Sequence, residues 1–194
     1  MKMLKKLLAV VLTGAMALTL LTACGGNAVT EKGIADALND MAKAQAQAKG
    51  QDTYITFTPR AQEREMARQL AALLESKTAT ATVADGDENS DSEFEKAAKN
   101  ILGCNKGGAN ENNFVWLGEA IAEEIGTGGQ VYQFVENNVL DTDGDYAYHK
   151  NGQTPANDRH MGTALCKVLD NESGKLVTVR IIVVTAEPAV EPAG

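Results

Sequence analysis

The chain has 194 residues, with 18 Lys and Arg against 26 Asp and Glu, a formal charge of −8. Its 44% hydrophobic and 23% charged residues are those of an ordinary globular protein. The acidic balance repels phosphate backbones, and no Lys/Arg cluster with interleaved aromatics offsets it, which excludes nucleic acid as an expected partner. Aromatics make up only 5%, so the core must be built mainly from Ala, Leu, Val, Ile and Met.

Lys2, Lys5 and Lys6 precede an uncharged run from Leu7 to Leu21, and Leu21-Thr22-Ala23 leads into Cys24. A basic segment, an apolar segment and a small-residue end form the pattern of a secretory signal. A cysteine directly after Leu-Thr-Ala resembles the lipobox of bacterial lipoproteins, which implies removal of residues 1–23 and acylation of Cys24. The alternative, an uncut membrane helix, is disfavoured because a spanning helix needs about 20 apolar residues and this run has 15. The resemblance implies a chain anchored by lipid outside the cytoplasm, at the cell surface or a periplasmic face. The remaining 171 residues suit one domain and keep 15 basic against 26 acidic residues.

Residues 24–33 are expected to tether a domain spanning 34–186. Ile34, Leu38, Met41 and Ala42 recur at helical spacing, and the helix should run to Gly50. Tyr54-Ile55-Thr56-Phe57 is a short extended piece. Thr58-Pro59 fits an N-cap and first helical position, opening a helix that buries Met66, Leu70, Leu73 and Leu74. Residues 78–92 lose periodicity. Their Asp85-x-Asp87-x-Asn89-x-Asp91 series starts like a calcium loop, but Ser90 and Lys96 stand where an EF-hand needs Gly and Glu. Asp141-Thr142-Asp143-Gly144-Asp145 likewise ends on Gly152 in place of the Glu. Both are taken as solvated acidic loops.

Ser92-Glu93-Phe94-Glu95 has the form of a capping box, and Gly103 should stop its helix. Phe114 to Glu119 then leads into an expected helix through Ile125, with Glu119 near its positive end. Thr127 to Gly129 should break it before a helix from Val131 to Val139. A polar loop follows to about His160. Met161–Leu169 and Leu176–Thr185 are β-rich runs joined by Asn171-Glu172-Ser173-Gly174, a hairpin composition, and Arg180-Ile181-Ile182-Val183-Val184 is nearly continuous, as a central strand would be. Residues 187–194 are expected as a disordered tail. Helices first and a hairpin last predict an α+β domain.

With Cys24 assigned to lipid, Cys104 and Cys166 remain. Outside the cytoplasm they could form a disulfide closing a loop of about 60 residues and contributing roughly 4 kcal/mol. They could equally be two separate buried thiols. No C-x-x-C or H-x-x-x-H spacing favours zinc, no G-x-S-x-G elbow is present, and no G-K-[ST] follows the paired glycines. No catalytic residue, metal ligand or cofactor is assigned, and His160 is given no role.

Gly118-Glu119-Ala120-Ile121-Ala122 resembles the G-E-N-I-A segment of the CAP superfamily, the SCP domains of cysteine-rich secretory proteins, venom antigens and plant pathogenesis-related proteins. Val131 and Phe134 occupy positions comparable to that family's V-x-x-x-W helix. His149 precedes Met161-Gly162-Thr163-Ala164 by the spacing of the family's second histidine, and Gly174-Lys175 through Val179-Arg180-Ile181 resembles its closing strand. The likeness covers roughly Phe114 to Val184. It implies an α-β-α sandwich with a cleft that takes a lipid, peptide or wall-associated ligand, lined by Glu119, His149, Trp116 and Tyr148. The family's first histidine has no counterpart here, and Ala120 replaces its Asn, so a non-catalytic binding module is expected. The alternatives are a degenerate metal-dependent hydrolase using Glu119 and His149, or an interaction lipoprotein of unrelated α+β fold.

Overall fold

The C-terminal strands β3 (Pro155–Leu169) and β4 (Leu176–Pro188) form the spine of the fold. They pair antiparallel from Pro155 opposite Pro188 to Leu169 opposite Leu176. The computed structural model describes residues 29–78, 93–122, 125–136, 139–140, 153–169 and 174–190. The free side of β4 pairs antiparallel with β2 (Phe114–Ile121), and β1 (Thr56–Pro59) lies parallel to the first part of β3. The result is a mixed four-stranded sheet ordered β1-β3-β4-β2.

Among the described residues four helices complete this α+β arrangement: α1 (Glu31–Ala48), α2 (Ala61–Thr78), α3 (Glu93–Leu102) and α4 (Thr127–Glu136). Successive side chains of a strand point to opposite faces, and here each face meets its own pair of helices. Phe114, Trp116, Met161, Ile182 and Val184 pack with Ile34 and Leu38 of α1 and Val131 and Phe134 of α4. Val115, Cys166, Ile181 and Val183 pack with Met66 and Leu70 of α2 and Ala98 and Leu102 of α3. Covered on both sides, β4 is buried continuously from Val179 to Ala186, which is why its sequence is an almost unbroken apolar run.

Local signals place the helix ends. Thr30 caps α1 by accepting the Gly33 N–H at 3.0 Å, and Glu31 follows in the first turn. Gly103 ends α3 with φ +67°, a conformation in which a side chain is strained. Gly162 serves a different purpose. A Cβ there would overlap the backbone of Glu63 and Arg64, so the first turn of α2 lies directly on β3.

Among the described residues no strand covers the outer edge of β3 beyond Met161, and side chains take the place of one. Glu31 Oε2 accepts the Thr163 N–H at 2.8 Å, and Glu75 Oε1 accepts the Lys167 N–H at 2.9 Å. On β1, Asn39 brackets Phe57, donating to its carbonyl at 3.1 Å and accepting its N–H at 2.6 Å. An edge capped in this way offers no template for another strand.

Several boundaries differ from the sequence reading. Gly118 to Ile121 belong to β2, not to a helix, because β4 supplies ladder partners for all of them. Thr127 to Gly129 are the first turn of α4, not a break. Pro59 closes β1 and α2 begins at Ala61. β3 starts six residues before Met161, where parallel pairing with β1 extends it. Glu187 and Pro188 belong to β4 and not to a tail, Pro188 opposing Pro155. The first helix begins at Glu31, inside the expected tether. The signal and Cys24, both acidic series, and Ser92 of the capping box lie outside the described residues.

Candidate functional site

The alternation of β2 decides which expected site residues meet. Phe114, Trp116 and Ala120 point to the α1/α4 side, while Val115 and Leu117 point to the α2/α3 side. Glu119 shares the parity of Leu117 and is exposed. Trp116 is 0% exposed and stacks on Phe114 with ring centroids 5.9 Å apart. The Arg159 guanidinium lies 4.1 Å from its ring centroid, a cation–π contact, and donates from Nη1 to the Val139 carbonyl at 2.7 Å. Trp116 is therefore a core residue on the face opposite Glu119, and the two do not share a lining. Glu119 sits within a strand, so the helix-end charge expected for it does not apply. Tyr148 and His149 lie outside the described residues.

Glu119 stands instead at a groove between α2, α3 and the edge of the sheet. Leu70 and Leu74 of α2 form one wall, Ala98 of α3 closes another, and Leu117, Gly118 and Ile181 make the floor. Its volume is about 230 Å³. The local pattern explains the composition: one stripe of α2 and one face of β2 are both apolar, and they diverge where β2 nears its end. The groove thus offers an apolar bed with one carboxylate beside it. Sequence reasoning found Glu119 but missed Leu70, Leu74 and Ile181 as its companions. They carry an amphipathic signal that marks them as core without showing where the core opens.

Cys166 lies on the same face of the sheet. Burial pushes its thiol up to about 11, and the charges of Glu75 and Glu119 add to that. Cys104 follows α3, its Sγ donating to the Leu102 carbonyl at 3.9 Å, and burial likewise raises its thiol to about 11. Both are free thiols. Cys104 belongs to the end of the cluster where α3 stops, whereas Cys166 sits on β3 opposite Val179, beside the carboxylates of Glu75 and Glu119.

Glu63 and Arg180 are buried charges that find their partners within the protein and serve the fold. Glu63 is 0% exposed. It accepts from Arg60 Nε at 2.6 Å and from the Thr185 hydroxyl at 2.7 Å. Burial pushes its carboxyl up, but the hydrogen bonds from Arg60 and Thr185 and the Arg60 charge outweigh that and hold it below the usual range. Arg180, the one charge in the buried run from Val179 to Ala186, donates to Gln130 at 2.8 Å, Thr163 at 3.3 Å and the Val29 carbonyl at 3.1 Å. A second depression, about 180 Å³, lies at the end of α1 between Lys49, Gln51, Tyr54 and Asn157. Its lining holds no carboxylate, histidine or thiol.

Among the described residues no group of three His, Cys, Asp or Glu side chains is placed to hold a metal ion, and no helix is long and apolar enough to cross a membrane. Comparison with protein-family models, curated proteins and solved structures returned no match.

Proposed function

We propose that this chain is a lipid-anchored extracytoplasmic domain of CAP type that binds a ligand and does not transform it. The observation that carries the reading is the groove in which Glu119 stands beside the apolar bed of Leu70, Leu74, Leu117 and Ile181. Such a site suits a ligand with an apolar segment and a cationic or hydrogen-bond-donating group next to it. That chemistry fits a lipid, a peptide or a wall-associated molecule.

Three further features support the CAP likeness. Gly118-Glu119-Ala120-Ile121 lies in a strand followed by a helix that buries Val131 and Phe134. Met161-Gly162 lies in a strand pressed against α2. Helices cover both faces of the sheet, as a sandwich requires.

The test is a titration with decylammonium, an apolar chain ending in a cation, followed by NMR of the leucine methyls. The expected result is saturable shifts at Leu70, Leu74 and Leu117, with affinity at least fivefold weaker in Glu119→Gln and lost in Leu117→Asp. Shifts spread over the surface, or equal affinity in all three proteins, would refute the reading.

A further inference from the structure

Among the described residues no helix lies over one face of the distal half of the β3–β4 hairpin. Along β3, the residues sharing a face with Met161 and Thr163 are Leu165, Lys167 and Leu169; along β4, those sharing a face with Ile182 and Arg180 are Thr178 and Leu176. Leu165, Leu169 and Leu176 are 51%, 37% and 59% exposed. Leu169 and Leu176 are directly opposite each other, and Leu165 opposes Arg180. The reverse face of this stretch is apolar too, but Ala164, Cys166, Val168, Val177 and Val179 belong to the cluster beneath α2. Folding thus covers one apolar face of the hairpin and leaves three leucines in the open on the other.

The chain enters the fold at this same place. Arg180, the register partner of Leu165, holds the Val29 carbonyl at 3.1 Å. Val29 is five residues after Cys24, and five extended residues reach at most about 18 Å. If Cys24 carries the lipid, the bilayer surface lies within that distance of Val29, whose carbonyl Arg180 holds beside the open face. Lys167 and Lys175 are exposed beside the leucines, where ammonium groups would meet lipid phosphates while the leucines enter the interface. Three partly exposed leucines also fall well short of the roughly 800 Å² per partner that a stable protein interface buries, which favours lipid over a second copy of the chain.

From these observations we infer that the open face of the hairpin, Leu165, Leu169 and Leu176 flanked by Lys167 and Lys175, seats on the phospholipid surface and fixes the orientation of the anchored domain. The inference rests on acylation of Cys24. It gives the anchor a second contact.

The experiment uses the full-length chain matured in its membrane, with the mass of the N-terminal peptide determined first. The protein is then placed in vesicles of phosphatidylethanolamine and phosphatidylglycerol, with or without brominated acyl chains. Leu176→Trp serves as the reporter, against the buried Trp116 and a control Gln69→Trp on α2. The expected result is an acylated Cys24 and emission of the Leu176→Trp protein quenched at least twofold by brominated lipid, with the control unquenched. Leucine methyl broadening by a spin-labelled lipid in the unsubstituted chain repeats the test without a substitution, and should single out Leu165, Leu169 and Leu176. An acylated, vesicle-bound chain that shows neither effect overturns the seat and leaves the anchor standing. A chain with no acyl group on Cys24 overturns the anchor and the seat with it. A blue shift without lipid that follows dimer formation assigns the face to a second copy and overturns the seat.

Discussion

The Glu31 carboxylate accepts the backbone N–H of Thr163 at 2.8 Å, joining the first turn of α1 to β3 across 132 residues of sequence. The same carboxylate accepts from Arg64 Nε at 3.0 Å, so one side chain ties α1, α2 and the open edge of the sheet together. Glu31→Ala should cost about 2 kcal/mol, since it leaves the strand N–H without its acceptor and the guanidinium without its partner. Glu31→Gln retains an acceptor for Thr163 and should lose less. Urea unfolding of the three proteins checks the order, and equal stability of all three would show that water replaces the contact.

Gly162→Ala should destabilise by about 3 kcal/mol or prevent folding, because the added methyl must displace the backbone of α2 and not a flexible side-chain end. Gly174→Ala is the comparison. Gly174 has φ +67° with nothing within 4 Å of a Cβ, so its cost is conformational strain alone, about 1 kcal/mol. Denaturation midpoints that fail to separate the two substitutions would contradict the close approach of α2 to β3.

Glu63 makes stability depend on pH. Its carboxyl is held below the usual range in the folded protein, while in the unfolded chain it titrates at about 4.3. The stabilisation is therefore complete above that value and is lost as pH falls through the lower, folded value. Glu63→Gln should flatten the acid limb of the stability curve. Arg60→Ala strands a buried charge and should cost about 3 kcal/mol near pH 7. Unfolding free energies measured from pH 7 down to pH 3 test both statements.

Cys104 and Cys166 should resist alkylation in the native state. With thiols raised to about 11, about one part in a thousand is thiolate at pH 8. Iodoacetamide should label both within minutes in urea and neither on that timescale in buffer, read by intact mass. If neither labels in urea without reductant, the two are bridged.

Much of the framework was legible in the sequence because it depends on neighbours along the chain. Apolar spacing from Ile34 to Met41, the stop at Gly103 and the nearly continuous run from Arg180 to Val184 are local signals, and each appears in the structure where the pattern puts it. Gly118 to Ile121 could not be assigned in this way. A short apolar stretch suits helix or strand equally, and only the ladder offered by β4, some sixty residues later, makes it a strand.

The site divides along the same line. Residue types alone identified Glu119 as a carboxylate of interest and Trp116 as a large apolar group. Strand parity then placed them on opposite faces, exposing Glu119 beside Leu70 and Leu117 and burying Trp116 under Arg159. The sequence by itself determined most of the elements and their apolar faces, since propensity, capping and periodicity act over a few residues. Tertiary structure alone decided register, the capped edges and the groove, since those depend on which surfaces meet and where the packing between them leaves a gap.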